Sequence, residues 1–303
     1  MKVAIIGAGA VGLLTAAYLC KANVETVIYT RRDEQASVLN QNGIELHKKG
    51  KKSTYFIQSK PLQQGLAEED LLIITVKQYD IEGIFHYLTS LNSKTPILFL
   101  QNGMTHLSYL PSLMSTSIFL GIVEHGVVKL SDYRIEHRGI GQIKLASYKG
   151  DLSGFDNVWA SLNSVGFPIK KEEQWYPILA KKLIANAVIN PLTAIYKVRN
   201  GKLLEDPNFQ RNMKQLFDEI ISILHIADEK DSWEEVVKIC SSTSANYSSM
   251  YMDIACKRQT EVDSILGYLL EVAENNHKSL PLVTFLYHSI KGMENSREVP
   301  DHG

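Results

Sequence analysis

The chain has 303 residues, of which 45% are hydrophobic and 21% charged, a composition that suits a globular protein of one large or two moderate domains. Its formal net charge of −1 at pH 7 and its sequence pI of about 6.8 argue against binding to nucleic acid or to an anionic membrane surface. We therefore expect a small-molecule ligand.

The three cysteines, Cys20, Cys240 and Cys256, lie far apart in the sequence and form neither a C-x-x-C pair nor part of a metal-ligand cluster. We expect reduced, packed thiols in a cytoplasmic protein, and no metal site. We also expect no stretch that is long and apolar enough to span a bilayer.

The N-terminal part of the chain alternates between strand and helix patterns. A short buried strand at residues 3–6, a helix at residues 13–21 and a strand at residues 24–29 predict a βαβ unit. Further strands are predicted at residues 71–76 and 97–100, with helical segments before or between them. This alternation predicts a parallel sheet wound with helices.

The later parts of the chain follow two other patterns. Residues 117–147 contain short β-rich segments separated by glycines, which predict antiparallel strands closing the first sheet. From Gln174 onward nearly the whole sequence has helical periodicity. We therefore predict an α/β domain at residues 1–170 and an all-α domain at residues 171–303, with a frayed C-terminal tail.

The turn after the first strand has the pattern G-x-G-x-x-G. Gly7 permits a tight turn, Gly9 lets the backbone approach a pyrophosphate, and Gly12 lets the helix pack closely on the strand. The helix that follows offers free N–H groups and the positive end of its dipole to an anion. These features predict that domain 1–170 is a Rossmann-type dinucleotide-binding domain. The predicted cofactor-binding residues of the turn are Gly7, Ala8, Gly9, Ala10, Val11 and Gly12.

The end of the second strand bears on the choice of cofactor. It reads Thr30-Arg31-Arg32, whereas an NAD-binding protein usually has an acidic residue there. A planar guanidinium suits a 2′-phosphate, so Arg31, with or without Arg32, favours NADP(H). Asp33 leaves NAD(H) open as an alternative, and two arginines at a strand end are often only a solvated rim.

Lys77 and Asn102 follow two later predicted strands, at the carboxyl edge where open α/β sheets bind ligands. Alone, Lys77 could be a plain surface lysine, and Asn102-Gly103 could be only a turn signal. Because both occur at the same edge, we predict that both contact the cofactor.

Residues 181–194, KKLIANAVINPLTA, carry a polar stripe. Lys182, Asn186 and Asn190 recur every four residues and so share one face of an otherwise apolar helix. A solvated surface face is the alternative, but such faces usually mix Glu and Lys. Pro191 cannot donate a backbone hydrogen bond and is expected to kink or end the helix.

These features together resemble the ketopantoate reductase (2-dehydropantoate 2-reductase) family. The resemblance spans nearly the whole chain, from GAGAVG and Arg31 through TVK, QNG and the helix motif to SSMYMDI and TEVD. It implies NADPH-dependent reduction of 2-dehydropantoate to pantoate, a step of pantothenate and coenzyme A biosynthesis, by hydride transfer in an interdomain cleft. One departure is Leu266-Gly267, where the family commonly has Asn-Gly.

The resemblance also implies a role for each matching polar residue. Lys182 would be the general acid, since a partly desolvated ammonium can both stabilise and protonate the oxygen of a ketone during reduction. The other implied roles are active-site amides at Asn186 and Asn190, a cofactor and substrate contact at Asn102, and substrate ligands at Ser249 and Glu261.

Ser249 and Glu261 could not bind one small acid from a single straight helix, because twelve residues correspond to roughly 18 Å of helical rise. We therefore predict a break at residues 256–259, with Thr260 capping the next helix. Without the family resemblance, Glu261 could equally be a carboxylate that merely favours a helix N-terminus.

Two other functions stay open at the level of sequence. One is an NADP-dependent reductase of another 2-oxo acid with the same architecture. The other is a non-catalytic dinucleotide sensor, against which the pairing of Lys182 with Glu261 argues. The sequence also leaves open whether the chain forms a homodimer, and whether Asp253 orients the site or pairs with Lys257.

Overall fold

The computed structural model describes residues 1–92 and 94–296, which form two compact units. Unit 1 contains Met1–Gln101 and His106–Ile178, and unit 2 contains Asn102–Thr105 together with the residues from Leu179 onward. Compactness alone does not define a folding domain, so the predicted limits of 1–170 and 171–303 stay predictions. The expected fraying of the tail falls mainly on residues 297–303, outside the described residues.

Unit 1 contains all the strands of the described residues and four of the helices. The strands are β1 (Lys2–Ile6), β2 (Glu25–Thr30), β3 (Ile44–Lys48), β4 (Lys51–Tyr55), β5 (Gln58–Pro61), β6 (Leu71–Ile74), β7 (Ile97–Phe99), β8 (Ile118–Val123), β9 (Gly126–Lys129), β10 (Arg134–Gly139), β11 (Ile143–Lys149) and β12 (Ile169–Lys171). The helices are α1 (Ala10–Lys21), α2 (Asp33–Asn42), α3 (Ile81–Thr89) and α4 (Asp156–Ser164).

The main sheet has the strand order β12-β11-β8-β7-β6-β1-β2-β5. The six strands from β5 to β8 pair in parallel, whereas β11 runs antiparallel to β8 and β12 runs parallel to β11. The order β5-β2-β1-β6-β7-β8 is that of a Rossmann fold, whose switch point lies between β1 and β6. The predicted βαβ unit and parallel sheet are confirmed.

The prediction that residues 117–147 only close this sheet is wrong in part. Strands β8 and β11 do join it, but β9 and β10 belong to a second sheet with the order β4-β3-β10-β9. The carboxylate of Glu45 links three strands of that sheet, because it pairs with Lys52 at 2.5 Å, His47 at 2.6 Å and Arg134 at 2.8 Å. Such long-range pairing leaves no trace in local periodicity.

Two buried histidines of unit 1, His106 and His125, should make stability fall in mild acid. They are 1% and 8% exposed, and burial lowers the pKa of each to about 4 from the ordinary 6.5. Below pH 6.5 the unfolded chain binds protons that the folded chain cannot bind. The free energy of unfolding should therefore fall between about pH 6.5 and 4, by roughly 3 kcal/mol per histidine.

Urea unfolding at pH 6.5 and pH 5 measures this loss. Glu45 does not contribute between these two pH values. Its pKa is lowered to about 2, chiefly by its hydrogen bond with Lys52, so its contribution to stability is lost only below pH 4.5. His106→Gln should remove part of the slope. Equal unfolding free energies at the two pH values would contradict the prediction.

The described residues of unit 2 form helices and their connections, with no strand, as predicted. Most of α5 (Trp175–Tyr196) lies in this unit, and the helices that follow are α6 (Lys202–Glu205), α7 (Pro207–Ile221), α8 (Glu229–Ser242), α9 (Ser249–Ala255), α10 (Tyr268–Asn275) and α11 (Pro281–Asn295). A π-helical segment, Asp263–Gly267, precedes α10.

The structure bears on two expectations about α5. The sequence predicts that Pro191 kinks or ends the helix; the helix continues through Pro191 to Tyr196, so the proline does not end it, and the kink stays a prediction. By length and composition α5 could also cross a membrane, with a mean hydropathy of 1.3, contrary to the sequence expectation. Because 78% of that apolar window is buried inside the protein, the helix is equally typical of a globular core and is weak evidence for a membrane span.

The expectation of packed thiols is also only partly met. The three cysteines are free, as expected, and Cys240 is buried while Cys20 is half-buried. Cys256 is exposed because it follows the last turn of α9 in the connection to the π-helical segment.

Candidate active site

The glycine turn of unit 1 joins β1 to the N-terminus of α1. Gly7 has φ +112°, and a Cβ atom there would lie 2.8 Å from the amide nitrogen of Val76. A Cβ atom on Gly12 would lie 1.9 Å from the carbonyl oxygen of Gly7. Close packing of α1 on the ends of β1 and β6 therefore requires glycine at both positions.

The requirement for Gly9 is different. It is the exposed N-cap residue of α1, and no atom of the described protein lies within 4 Å of a Cβ placed on it. Protein packing therefore does not explain the glycine. Open space above the first turn of a helix fits a pyrophosphate, which would accept hydrogen bonds from the free N–H groups there. The residues of this turn fit a dinucleotide.

Two side chains that the sequence analysis did not single out hold this turn. The Thr75 hydroxyl donates to the carbonyl oxygen of Gly7 at 2.9 Å. The buried Gln35 amide donates to the carbonyl oxygens of Ala8 and Asp132, both at 2.9 Å. Thr75 could have been noticed because it opens the TVK motif, whereas Gln35 stands in a segment with no motif.

Arg31 lies at the end of β2 and is the more exposed of the two arginines, with 80% of its side chain exposed. Its Nη1 lies 3.0 Å from the Oδ1 of Asp80, in the turn that follows the half-buried Lys77. Arg32 instead donates through Nη2 to both carboxylate oxygens of Asp132 at 2.7 Å. The structure therefore brings Arg31 to the Lys77 segment and ties Arg32 elsewhere.

The polar stripe of α5 lies in unit 2. Lys182 and Asn186 are half-buried, and Asn190 is only 7% exposed. The adjacent Lys181 is exposed and forms an ion pair with Asp231 at 2.6 Å. The interpretation of the stripe as a solvated face is therefore wrong, because none of the three residues is exposed and Asn190 is buried.

Helix α9 begins beside α5. The buried Ser248 is its N-cap, since its Oγ accepts a hydrogen bond from the Tyr251 amide at 3.1 Å, and the Thr193 hydroxyl of α5 lies 2.7 Å from the same oxygen. Ser249, the predicted substrate ligand, is the exposed first residue of the helix. Near the other end, Asp253 accepts a hydrogen bond from the Arg258 guanidinium at 2.8 Å.

The predicted break between Ser249 and Glu261 is confirmed. Helix α9 ends at Ala255, and the next helical turn starts after Thr260, whose hydroxyl accepts a hydrogen bond from the Val262 amide at 3.2 Å. A π-helical segment follows directly, a feature that is frequent at functional sites. Leu266-Gly267, the departure from the family pattern, lies within this segment.

Asn102 and Glu261 meet in unit 2 although 159 residues separate them in sequence. The Asn102 amide donates from Nδ2 to the Oε2 of Glu261 at 3.0 Å, and Glu261 is 7% exposed. A buried carboxylate that accepts a hydrogen bond from an amide is held in a fixed position and can accept a hydrogen bond from a ligand hydroxyl. Among the described residues, no group of three His, Cys, Asp or Glu side chains could hold a metal ion.

The Rossmann strand order, the glycine turn and the helical second unit are together typical of dinucleotide-dependent oxidoreductases. The chain belongs to the ketopantoate reductase family. The model of the family described as "Ketopantoate reductase PanE/ApbA" matches residues 3–150, and the model of its C-terminal part matches residues 174–294.

Individual proteins support this membership. The chain is 42% identical to the 2-dehydropantoate 2-reductase of Bacillus subtilis (strain 168) over 97% of this chain and 98% of the relative. The crystal structure of a probable 2-dehydropantoate 2-reductase from Bacillus subtilis superposes with a TM-score of 0.88 at 40% identity, covering 97% of this chain and 100% of the other.

A more distant structure shows how widely the fold is shared. D-mandelate dehydrogenase with NADH and anilino(oxo)acetate superposes with a TM-score of 0.88 at 21% identity, covering 99% of this chain and 100% of the other. This likeness concerns the fold alone.

Proposed function

We propose that the protein is a cytoplasmic, NADPH-dependent 2-dehydropantoate 2-reductase. Its product, pantoate, would serve pantothenate and coenzyme A biosynthesis. The observation that carries this proposal is the buried pair of Asn102 and Glu261, which presents a fixed carboxylate to a ligand hydroxyl. The family membership and the name of the Bacillus subtilis relative support the same reaction.

Each polar group of the substrate has a proposed partner in the chain. NADPH, when bound, supplies the hydride that reduces the ketone carbon. The Lys182 ammonium donates a proton to the ketone oxygen as negative charge develops there, and it regains the proton from water. Asn186 and Asn190 orient this lysine by accepting from its ammonium through their amide oxygens, and they orient the substrate by donating from their amide nitrogens. The remaining contacts are Asn102 with cofactor and substrate, Ser249 with the substrate carboxylate, and Glu261 with the terminal hydroxyl.

The loss of NADPH absorbance on addition of substrate tests the proposal. 2-Dehydropantoate should be reduced far more efficiently than 2-oxo-3-methylbutanoate, which lacks the hydroxyl, because the lost hydrogen bond between a substrate hydroxyl and a buried carboxylate costs roughly 1–3 kcal/mol. Glu261→Gln should weaken this discrimination, and Glu261→Ala should largely abolish it. Equal kcat/KM for the two acids would leave a 2-oxo acid reductase of another substrate and remove Glu261 from the site.

Arg31 should set the preference for NADPH over NADH. Its guanidinium follows β2 and pairs with Asp80, and a second cation, Lys77, lies just before the turn that contains Asp80. A charge-assisted hydrogen bond to a phosphate contributes roughly 1.5–3 kcal/mol. Arg31→Ala should therefore lower the NADPH preference by about 10- to 100-fold, mainly through KM for NADPH.

Kinetics with both cofactors measure this change. Arg32→Ala is the matched control. Its guanidinium donates to both oxygens of Asp132 at 2.7 Å, whereas the Arg31 side chain is 80% exposed, so Arg32→Ala should affect the preference much less. Comparable kcat/KM for NADPH and NADH in the unmutated protein would contradict the prediction.

A further inference from the structure

Helix α11 contacts both sides of Glu261 through one face. Tyr287, Lys291 and Glu294 recur at intervals of four and three residues and so lie on the same side of the helix. We call these three residues the α11 cluster. They reach Thr260, directly before Glu261, and Asp263, two residues after it.

The first contact is made by Glu294. Its Oε1 accepts the backbone N–H of Thr260 at 2.6 Å, and the Glu294 side chain is only 10% exposed. Thr260 itself is 1% exposed. A buried amide that loses its acceptor is costly, so the carboxylate fixes the backbone directly before Glu261.

The second contact lies after Glu261. Asp263 accepts a hydrogen bond from the Tyr287 hydroxyl at 2.8 Å and one from the Lys291 ammonium at 3.0 Å. Lys291 also lies 3.7 Å from the Oε2 of Glu294 and so joins the two contacts into one network. The backbone of Thr260 and the side chain of Asp263 are thereby held to the same helix face.

We propose that the α11 cluster positions Glu261 for the substrate hydroxyl, with Glu294 as the principal positioning residue. This proposal rests on the proposed function of Glu261. Glu294 does not touch the substrate in this scheme, and it acts through the Thr260 amide. Because Asn102 fixes the Glu261 carboxylate and the α11 cluster fixes its backbone, the loss of either should let the carboxylate move away from the hydroxyl.

Three variants test the proposal. Glu294→Ala removes the acceptor, whereas Glu294→Gln keeps an oxygen that can accept the Thr260 N–H. Glu219→Ala is the matched control. The Glu219 carboxylate accepts the amides of Leu282 at 3.1 Å and Val283 at 2.9 Å, so its loss frees backbone donors of α11 at the opposite end of the helix.

The kinetic readout is the ratio of kcat/KM for 2-dehydropantoate to that for 2-oxo-3-methylbutanoate. Glu294→Ala should lower this ratio roughly 10- to 100-fold, since a misplacement of about 1 Å can cost that much, and leave turnover of the acid without the hydroxyl nearly unchanged. Glu294→Gln should stay within about threefold of the unmutated protein, and Glu219→Ala should keep its ratio. An unchanged ratio in Glu294→Ala, or an equal loss in Glu219→Ala, overturns the proposal.

Hydrogen exchange of the peptide spanning residues 256–268 supplies a readout that needs no substrate. Exchange should accelerate in Glu294→Ala and stay unchanged in Glu219→Ala. If the unmutated protein fails to distinguish the two acids, the proposed function fails, and exchange alone then decides whether the cluster fixes the segment. If Glu294→Ala does not fold, Tyr287→Phe replaces it. Tyr287→Phe should also lower the kcat/KM ratio and accelerate exchange of residues 256–268. If neither the ratio nor the exchange changes, the proposal is overturned.

Discussion

Replacing Lys182 with alanine is expected to lower kcat by about 10²–10⁴, the usual contribution of a positioned proton donor. Lys182 is a half-buried residue of α5, with Asn186 one turn further along the same face. Without the Lys182 ammonium, negative charge develops on the ketone oxygen with neither a proton nor a cation to receive it. Because the predicted dinucleotide-binding residues of the glycine turn lie in unit 1, NADPH should still bind.

Turnover and fluorescence titration of NADPH are measured on one preparation. Lys181→Ala is the matched control, because it removes the same side chain from the adjacent position, where the ammonium is exposed and paired with Asp231. It should change kcat little, since a surface ion pair contributes at most about 1 kcal/mol to stability. A near-normal kcat in Lys182→Ala would assign the proton donor to another residue.

The sequence was informative wherever the cause of a structure is local. The runs of apolar residues that form β1, β2 and β6 are almost fully buried, and their pattern predicted them. Strand β4 reads KKSTY and is largely exposed, so no hydrophobic pattern marks it. The partners of β9 and β10 depend on contacts with β3, far away in the sequence, and no periodicity encodes them.

The same distinction holds for the candidate site. The glycine turn was predicted because its requirements, a tight turn and close packing, arise within a few residues. The hydrogen bonds of Gln35 join residues that are 27 positions apart (Ala8) and 97 positions apart (Asp132) in the sequence. Asn102 and Glu261 are 159 positions apart. Local sequence patterns could therefore predict neither set of contacts. The polar stripe on α5 was visible, but only the structure shows that its burial increases toward Asn190.

Replacing Gly103 with alanine is expected to unfold or displace the segment that carries Asn102. Gly103 has φ +77°, and a Cβ atom there would lie 2.2 Å from the carbonyl oxygen of Ser264, which is backbone in the π-helical segment. A methyl group cannot be accommodated without moving one of the two backbones. Strain at the positive φ and overpacking should together cost about 2–4 kcal/mol of stability.

The same displacement should act on the chemistry, because the residue before Gly103 donates the hydrogen bond to Glu261 and the residue after it, Met104, donates its amide to Ser264 at 3.4 Å. The folded fraction of Gly103→Ala should therefore discriminate poorly between 2-dehydropantoate and 2-oxo-3-methylbutanoate. Urea unfolding and the two kcat/KM values are measured together. Gly83→Ala is the control. Gly83 lies within α3, and apart from the helix's own backbone no described atom lies within 4 Å of a Cβ placed on it. Alanine should therefore stabilise that helix by roughly 0.5–1 kcal/mol. Stability and discrimination that both match the unmutated protein in Gly103→Ala would mean that the Asn102 segment does not depend on its approach to Ser264.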